Sequence, residues 1–129
     1  MFACSGGVNA QAFKVIVNIS NSSNALSTKE ISDLFLKKKT KWSDGKQVLP
    51  VDLSASSQVR SGFSQQIHGK STAAVRNYWQ QAVFAGTATA PSEKASDAEV
   101  IEFVKKNEGA IGYVSASANT AGVKTIMLK

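Results

Sequence analysis

At 129 residues, the chain has room for one domain with one hydrophobic core. Its apolar share of 43% and charged share of 19% are those of a folded globular chain. No apolar run approaches the ~18 residues that span a bilayer, so a membrane-spanning protein is not expected. Fifteen Lys and Arg against nine Asp and Glu leave a formal charge of +6, which suits an anionic partner as well as plain solubility. Most of the excess sits in Lys37-Lys38-Lys39 and Lys41. A nucleic-acid groove interleaves aromatics with its basic residues, and only Trp42 does so here, so no nucleic-acid partner is expected. Cys4 is the single cysteine, which excludes an internal disulfide. Cys4 and His68 together are too few for a structural zinc site. No metal and no cofactor are expected.

Residues 1–12 are small and polar and stop where the first apolar run begins. Ala10-Gln11-Ala12 has the form that signal peptidase cuts after. This stretch is expected to be a residual signal-peptide tail, or else a short disordered leader, ahead of a single domain over residues 13–129.

Phe13-Lys14-Val15-Ile16-Val17-Asn18-Ile19 is β-branched and apolar, and reads as a buried strand. A polar loop follows. Ser27-Thr28-Lys29-Glu30 is a capping box opening a helix with Ile31, Leu34 and Phe35 on one face, expected to close in the lysine run. Trp42-Ser43-Asp44-Gly45 is a turn. Val48–Leu53 reads as a second strand, with Pro50 placing it at an edge or a strand start. The serines at 54, 56 and 57 then offer N-caps for a helix carrying Val59, Phe63 and Ile67, which Gly69 ends. Ser71 caps a third helix with an apolar face of Val75, Trp79 and Val83. Residues 87–95 read as a loop. Ser96-Asp97-Ala98-Glu99 is a second capping box, ahead of Val100, Phe103 and Val104. Ile111–Val114 and Val123–Leu128 read as the last two strands. Strands and helices intermix, which predicts a three-layer α/β fold with one mixed sheet.

Gly69-Lys70-Ser71 looks like the end of a phosphate-binding P-loop, but position 64 is Ser64 rather than the required glycine and the preceding segment reads as a helix. A helix stop followed by an N-cap accounts for these residues. His68 beside Gly69 is read as a cap on helix carbonyls, since no nucleophile elbow accompanies it. The carboxylates are scattered among caps, turns and strand ends. No residue set fits catalysis, and an enzyme is not expected. The stretch from Ser54 to Arg60 lies where a strand hands over to a helix. Free amides, hydroxyls and the helix dipole make such a place an anion site, with Arg60 as a charged fork. The candidate ligand residues are Ser54, Ser56, Ser57 and Arg60. Asn18 and Ser20 join them on the expectation that the first strand ends at the same edge. Plain N-capping with a solvated Arg60 is the structural alternative.

Several features occur together and in one order: Val15-Ile16-Val17-Asn18; Leu26-Ser27 before Glu30-Ile31 and Leu34-Phe35-Leu36; Trp42-Ser43-Asp44-Gly45 with Pro50; Phe63 after the serine loop; Tyr78-Trp79 with Phe84 and Gly86; and Gly109-Ala110-Ile111-Gly112-Tyr113-Val114. Over residues 13–115 the chain thereby resembles the phosphate-type substrate-binding proteins of bacterial ABC transporters. The resemblance implies a single lobe of a type II periplasmic-binding-protein fold, a mixed sheet flanked by helices. The chain therefore resembles the short, one-lobe relatives of that family. At the ligand loop the family has an arginine, an aspartate and a Ser-Gly-Thr run. Counted back from Phe63, those positions are Leu53, Ala55 and Ser57-Gln58-Val59, and only Ser57 matches.

The resemblance implies a periplasmic or otherwise exported solute-binding-like domain for an ABC-type uptake system. Phosphate or another small anion is the expected ligand, and an envelope or transporter protein the expected partner. The alternative is a non-catalytic accessory module of the cell envelope that kept the fold and lost the ligand site.

Overall fold

Along Phe13–Val17, alternate side chains point to opposite sides of an extended chain, Phe13, Val15 and Val17 to one and Ile16 with the half-buried Lys14 to the other, and all but Lys14 are apolar. Such a strand is stable only between two covered faces. The computed structural model describes residues 13–129 and gives it that position, as β1. The expected leader, with Cys4 and Ala10-Gln11-Ala12, lies outside the described residues. The following elements are β2 (Ala25–Leu26), α1 (Thr28–Phe35), β3 (Leu49–Leu53), α2 (Gln58–Phe63) with a π-helical turn over Ser64–His68, α3 (Thr72–Phe84), β4 (Ser92–Lys94), α4 (Asp97–Lys106), β5 (Ala110–Ser115) and β6 (Lys124–Leu128).

The six strands form one mixed sheet in the order β2-β6-β1-β5-β3-β4. β1 runs antiparallel to both β5 and β6, whereas β3 runs parallel to β5 and β4. Pro50 fits inside this sheet for a local reason. Leu49 N–H donates to the carbonyl of Gly109, just before β5, so the next backbone nitrogen faces β4, and that ladder begins only at Val51. The missing N–H of Pro50 therefore breaks no pairing.

Neighbouring residues of β5 define the two faces. The side of Gly112 meets α4, where an added Cβ would lie 2.8 Å from both Val100 Cγ1 and Val51 Cγ1. The side of Tyr113 meets α1 and α2 through an aromatic cluster. Phe63 stacks on Tyr113 with centroids 3.8 Å apart, and Phe13 and Phe35 meet Phe63 edge-on at 5.3 and 4.9 Å. These rings are fully buried and dominate the packing on that side. The result is the expected three layers around one mixed sheet.

Local signals explain most of the helix starts. The Ser27–Glu30 box is complete, with Glu30 N–H on Ser27 Oγ and Ser27 N–H on Glu30 Oε1. Ser71 caps α3 by accepting from Ala74 N–H, and Gly69 ends the π turn with φ of 67°, which explains Gly69-Lys70-Ser71 without a phosphate. The second box is incomplete: Ser96 accepts from Glu99 N–H, but Glu99 Oε1 takes the amide of Ala95 rather than that of Ser96.

Several expectations are corrected. The lysine run does not close α1. That helix ends at Phe35 and Leu36, and Lys37 turns away with φ of 59°. α3 does not lie on the sheet; Trp79 and Val75 form a separate small cluster with Leu36. Val83, expected on the apolar face of α3, is 52% exposed, and the adjoining Phe84 is 96% exposed. Residues 92–94, read as loop, add the edge strand β4, and the two-residue β2 forms the other edge.

Candidate functional site

The loop after β3 is held at both ends. Ser54 N–H donates to Lys94 on β4, and Ser57 N–H closes a turn onto Ser54. The hydroxyls of Ser54 and Ser56 lie 3.2 Å apart. Ser57 is the N-cap of α2, its Oγ accepting from Arg60 N–H at 3.2 Å. Three hydroxyls thus gather at the C-terminal end of β3, the end at which open α/β sheets hold ligands.

Arg60 is neither the anion-facing fork nor the solvated side chain that the sequence offered as alternatives. It is buried, and Nη1 donates to Leu53 O at 3.1 Å and to Glu93 Oε2 at 2.6 Å. Nη2 lies 4.0 Å from Asp52 Oδ2. Strand register explains this. Asp52 and Glu93 are direct partners on the parallel strands β3 and β4, so two carboxylates stand side by side on one face. Arg60, reaching back from α2, offsets their repulsion. Tyr113 completes the group, its hydroxyl donating to Asp52 Oδ1 at 2.7 Å. Burial pushes the Asp52 carboxyl above the usual aspartate range, against the pull of Arg60 and of the Tyr113 hydroxyl. Burial, and next the Asp52 charge, push the Tyr113 phenol up as well. One cation beside two carboxylates is not an anion receptor, so the charge on Arg60 is already matched by its neighbours.

Asn18 and Ser20 lie at the other end of the sheet. Phe13 pairs with Ser115 and Val17 with Ile111, so the C-terminal end of β1 adjoins the beginnings of β5 and β3. The expectation that they share an edge with Ser54 assumed that β1 runs parallel to β3, and it runs antiparallel. Asn18 Nδ2 instead donates to the carbonyls of Val104 and Lys105 at the end of α4. Ser20 closes a turn onto Asn18 Oδ1. The structure brings Ser54, Ser56 and Ser57 together, turns Arg60 into the core, and separates Asn18 and Ser20 from all of them.

His68 does not cap carbonyls through its ring. Its Nδ1 lies 2.8 Å from Ser32 Oγ, and burial lowers its pKa to about 4, with Arg60 the next contributor. Trp42, the one aromatic near the lysines, is buried and donates from Nε1 to Gly109 O at 2.8 Å. Among the described residues, no cluster of three or more His, Cys, Asp and Glu side chains is placed to hold a metal, and no helix is long and apolar enough to cross a membrane.

A cavity of about 440 Å³ opens beside the Arg60 group, between α3 and β4. Asp52, Arg60 and Glu93 line it together with Arg76, Trp79 and Phe84 of α3 and with Pro91. Its residues come from four separate stretches of chain.

The chain belongs to the PBP superfamily, whose domain model matches residues 8–126. The fold is that of one lobe of a type II periplasmic-binding protein. A protein assigned as a phosphate ABC transporter substrate-binding protein, from Clostridium perfringens and with bound phosphate, superposes with a TM-score of 0.69 at 22% identity; the match covers 89% of this chain and 44% of that one. An ABC-type phosphate transport receptor from Vibrio cholerae gives 0.69 at 19% identity, over 90% and 46%. PstS from Borrelia burgdorferi gives 0.64 at 12% identity, over 92% and 47%. The chain thus spans less than half the length of each. No curated protein matches it with significance.

Proposed function

We propose that the chain is an exported, non-enzymatic solute-binding-like lobe that holds phosphate or a similar small anion weakly, in the service of an ABC-type uptake system. One observation carries this reading: Ser54, Ser56 and Ser57 converge at the C-terminal end of β3 in a fold shared with phosphate-binding proteins, one of them with phosphate bound. Hydroxyls and backbone amides are the binding groups, and Arg60 takes no part. Without a guanidinium and with one lobe, the affinity is millimolar, ~4 kcal/mol of binding energy. Titration with phosphate, followed by amide chemical shifts, tests it. Saturable shifts over Ser54–Val59, with Asn18 and Ser20 unmoved, support the site. Absence of shifts at tens of millimolar phosphate removes it.

The second reading is a non-catalytic accessory module of the cell envelope that kept the fold and lost the ligand. The matched charge of Arg60 favours it, because the one arginine near the serine loop is held by Glu93 and Leu53. Localisation of the protein in its native cell tests the feature common to both readings. Recovery from the cytosol alone would overturn export.

A further inference from the structure

Two polar atoms in the floor of the cavity beside α3 lack partners. Asp52 Oδ1 is taken by the Tyr113 hydroxyl, and Arg60 Nη1 by Leu53 O and Glu93. Asp52 Oδ2 and Arg60 Nη2 face each other across 4.0 Å, too far for a direct hydrogen bond. Among the described residues neither atom has another hydrogen-bond partner. Both side chains are more than nine-tenths buried, at 8% and 4% exposure. Yet the only sealed side-chain polar atom without a partner among the described residues is Thr72 Oγ1. Oδ2 and Nη2 therefore reach open space, and the space bordering both residues is the cavity of about 440 Å³.

The chemistry of the gap selects its occupant. An oxygen within hydrogen-bond reach of both atoms must donate to the carboxylate and accept from the guanidinium. A hydroxyl does both through one atom. A carboxylate or phosphate has no donor for Oδ2 when fully ionised, and meets Asp52 and Glu93 as like charges. An ammonium group has no acceptor for Nη2. The α3 side carries an apolar strip, with Trp79 buried and Val83 and Phe84 52% and 96% exposed, bordered by the polar Arg76 and Gln80. The volume falls within the ~300–1,000 Å³ of small-molecule sites, which combine apolar walls with a few convergent polar groups.

We propose that this cavity binds a neutral, hydroxyl-bearing small molecule with a flat apolar body, the hydroxyl bridging Asp52 and Arg60 and the body lying against Trp79, Val83 and Phe84. The serine loop contributes nothing to this site, and the proposal does not depend on anion binding there.

The test uses p-cresol and its methyl ether, 4-methylanisole, which has the same body but no donor. Two-dimensional NMR of the intact chain follows the Trp79 indole and the amides of Val83, Phe84 and Glu93. Saturable shifts with p-cresol, and binding about tenfold weaker for the ether, are expected from one lost hydrogen bond to a charged group. Phe84→Ala, on a nearly fully exposed side chain, leaves the fold intact and weakens p-cresol binding several-fold. No saturable shift with p-cresol up to ~20 mM, equal binding of the ether, or a Phe84→Ala variant that binds as wild type would each overturn the proposal.

Discussion

The Tyr113 hydroxyl sits 2.7 Å from Asp52 Oδ1, donates to it, and accepts the backbone N–H of Leu53 at 3.2 Å. One side-chain oxygen thus satisfies a buried carboxylate and a buried amide on the neighbouring strand. Tyr113→Phe keeps the stacking on Phe63 but leaves both partners unmet, at a cost of ~2 kcal/mol. Urea unfolding at neutral pH measures it. The Asp52 carboxyl already stands above its ordinary value, so this burial cost falls away once the group is protonated. The gap between variant and wild type is therefore expected to narrow in acid.

Gly112 faces α4 in the tightest part of the sandwich. A methyl group there meets two valine side chains at 2.8 Å, and both belong to the core. Gly112→Ala is expected to destabilise by ~1–3 kcal/mol. Val100→Ala in the same chain opens room for that methyl. The double variant should lose less than the two single losses added together, and a double-mutant cycle in denaturant reads the difference.

Arg60→Ala removes the one cation beside Asp52 and Glu93. Breaking a largely buried charge group in this way costs on the order of 3 kcal/mol. Millimolar anion binding at the serine loop should be unchanged wherever the variant stays folded. Thermal unfolding gives the first quantity and phosphate titration the second.

His68 is held neutral, with its pKa near 4 against 6.5 for the free side chain. Between these values the unfolded chain binds the proton more readily, so stability rises with pH across this window and the contribution is complete above pH ~6.5. With allowance for partial exposure, acidification to pH ~4 removes ~1–2 kcal/mol through this residue. An imidazole titrating near its ordinary value in the folded chain, by NMR, would contradict this placement.

Elements set by neighbouring residues could be read from the sequence. Ser27 and Glu30 are three positions apart, and their reciprocal bonds start α1 as expected. Gly69 and Ser71 likewise divide two helices by local geometry. Strands β2 and β4 could not be read, because two or three residues carry no periodicity. The surroundings of Arg60 were hidden for another reason. Asp52, Glu93 and Tyr113 meet only through strand register, and nothing near Arg60 in the chain announces them. The misplacement of Asn18 and Ser20 came from strand direction: the apolar pattern of β1 is the same whether it runs parallel or antiparallel.

The antiparallel seat of β1 also governs the order of events as the chain emerges from the ribosome. β1 is made first among the described strands, yet both of its neighbours, β5 and β6, are made last. Phe13 and Ser115 meet across roughly a hundred residues of intervening chain, the kind of distant pairing that slows folding. The native sheet cannot close around β1 until residues 110–128 exist. Until those residues are made, β1 has neither of its two native neighbours.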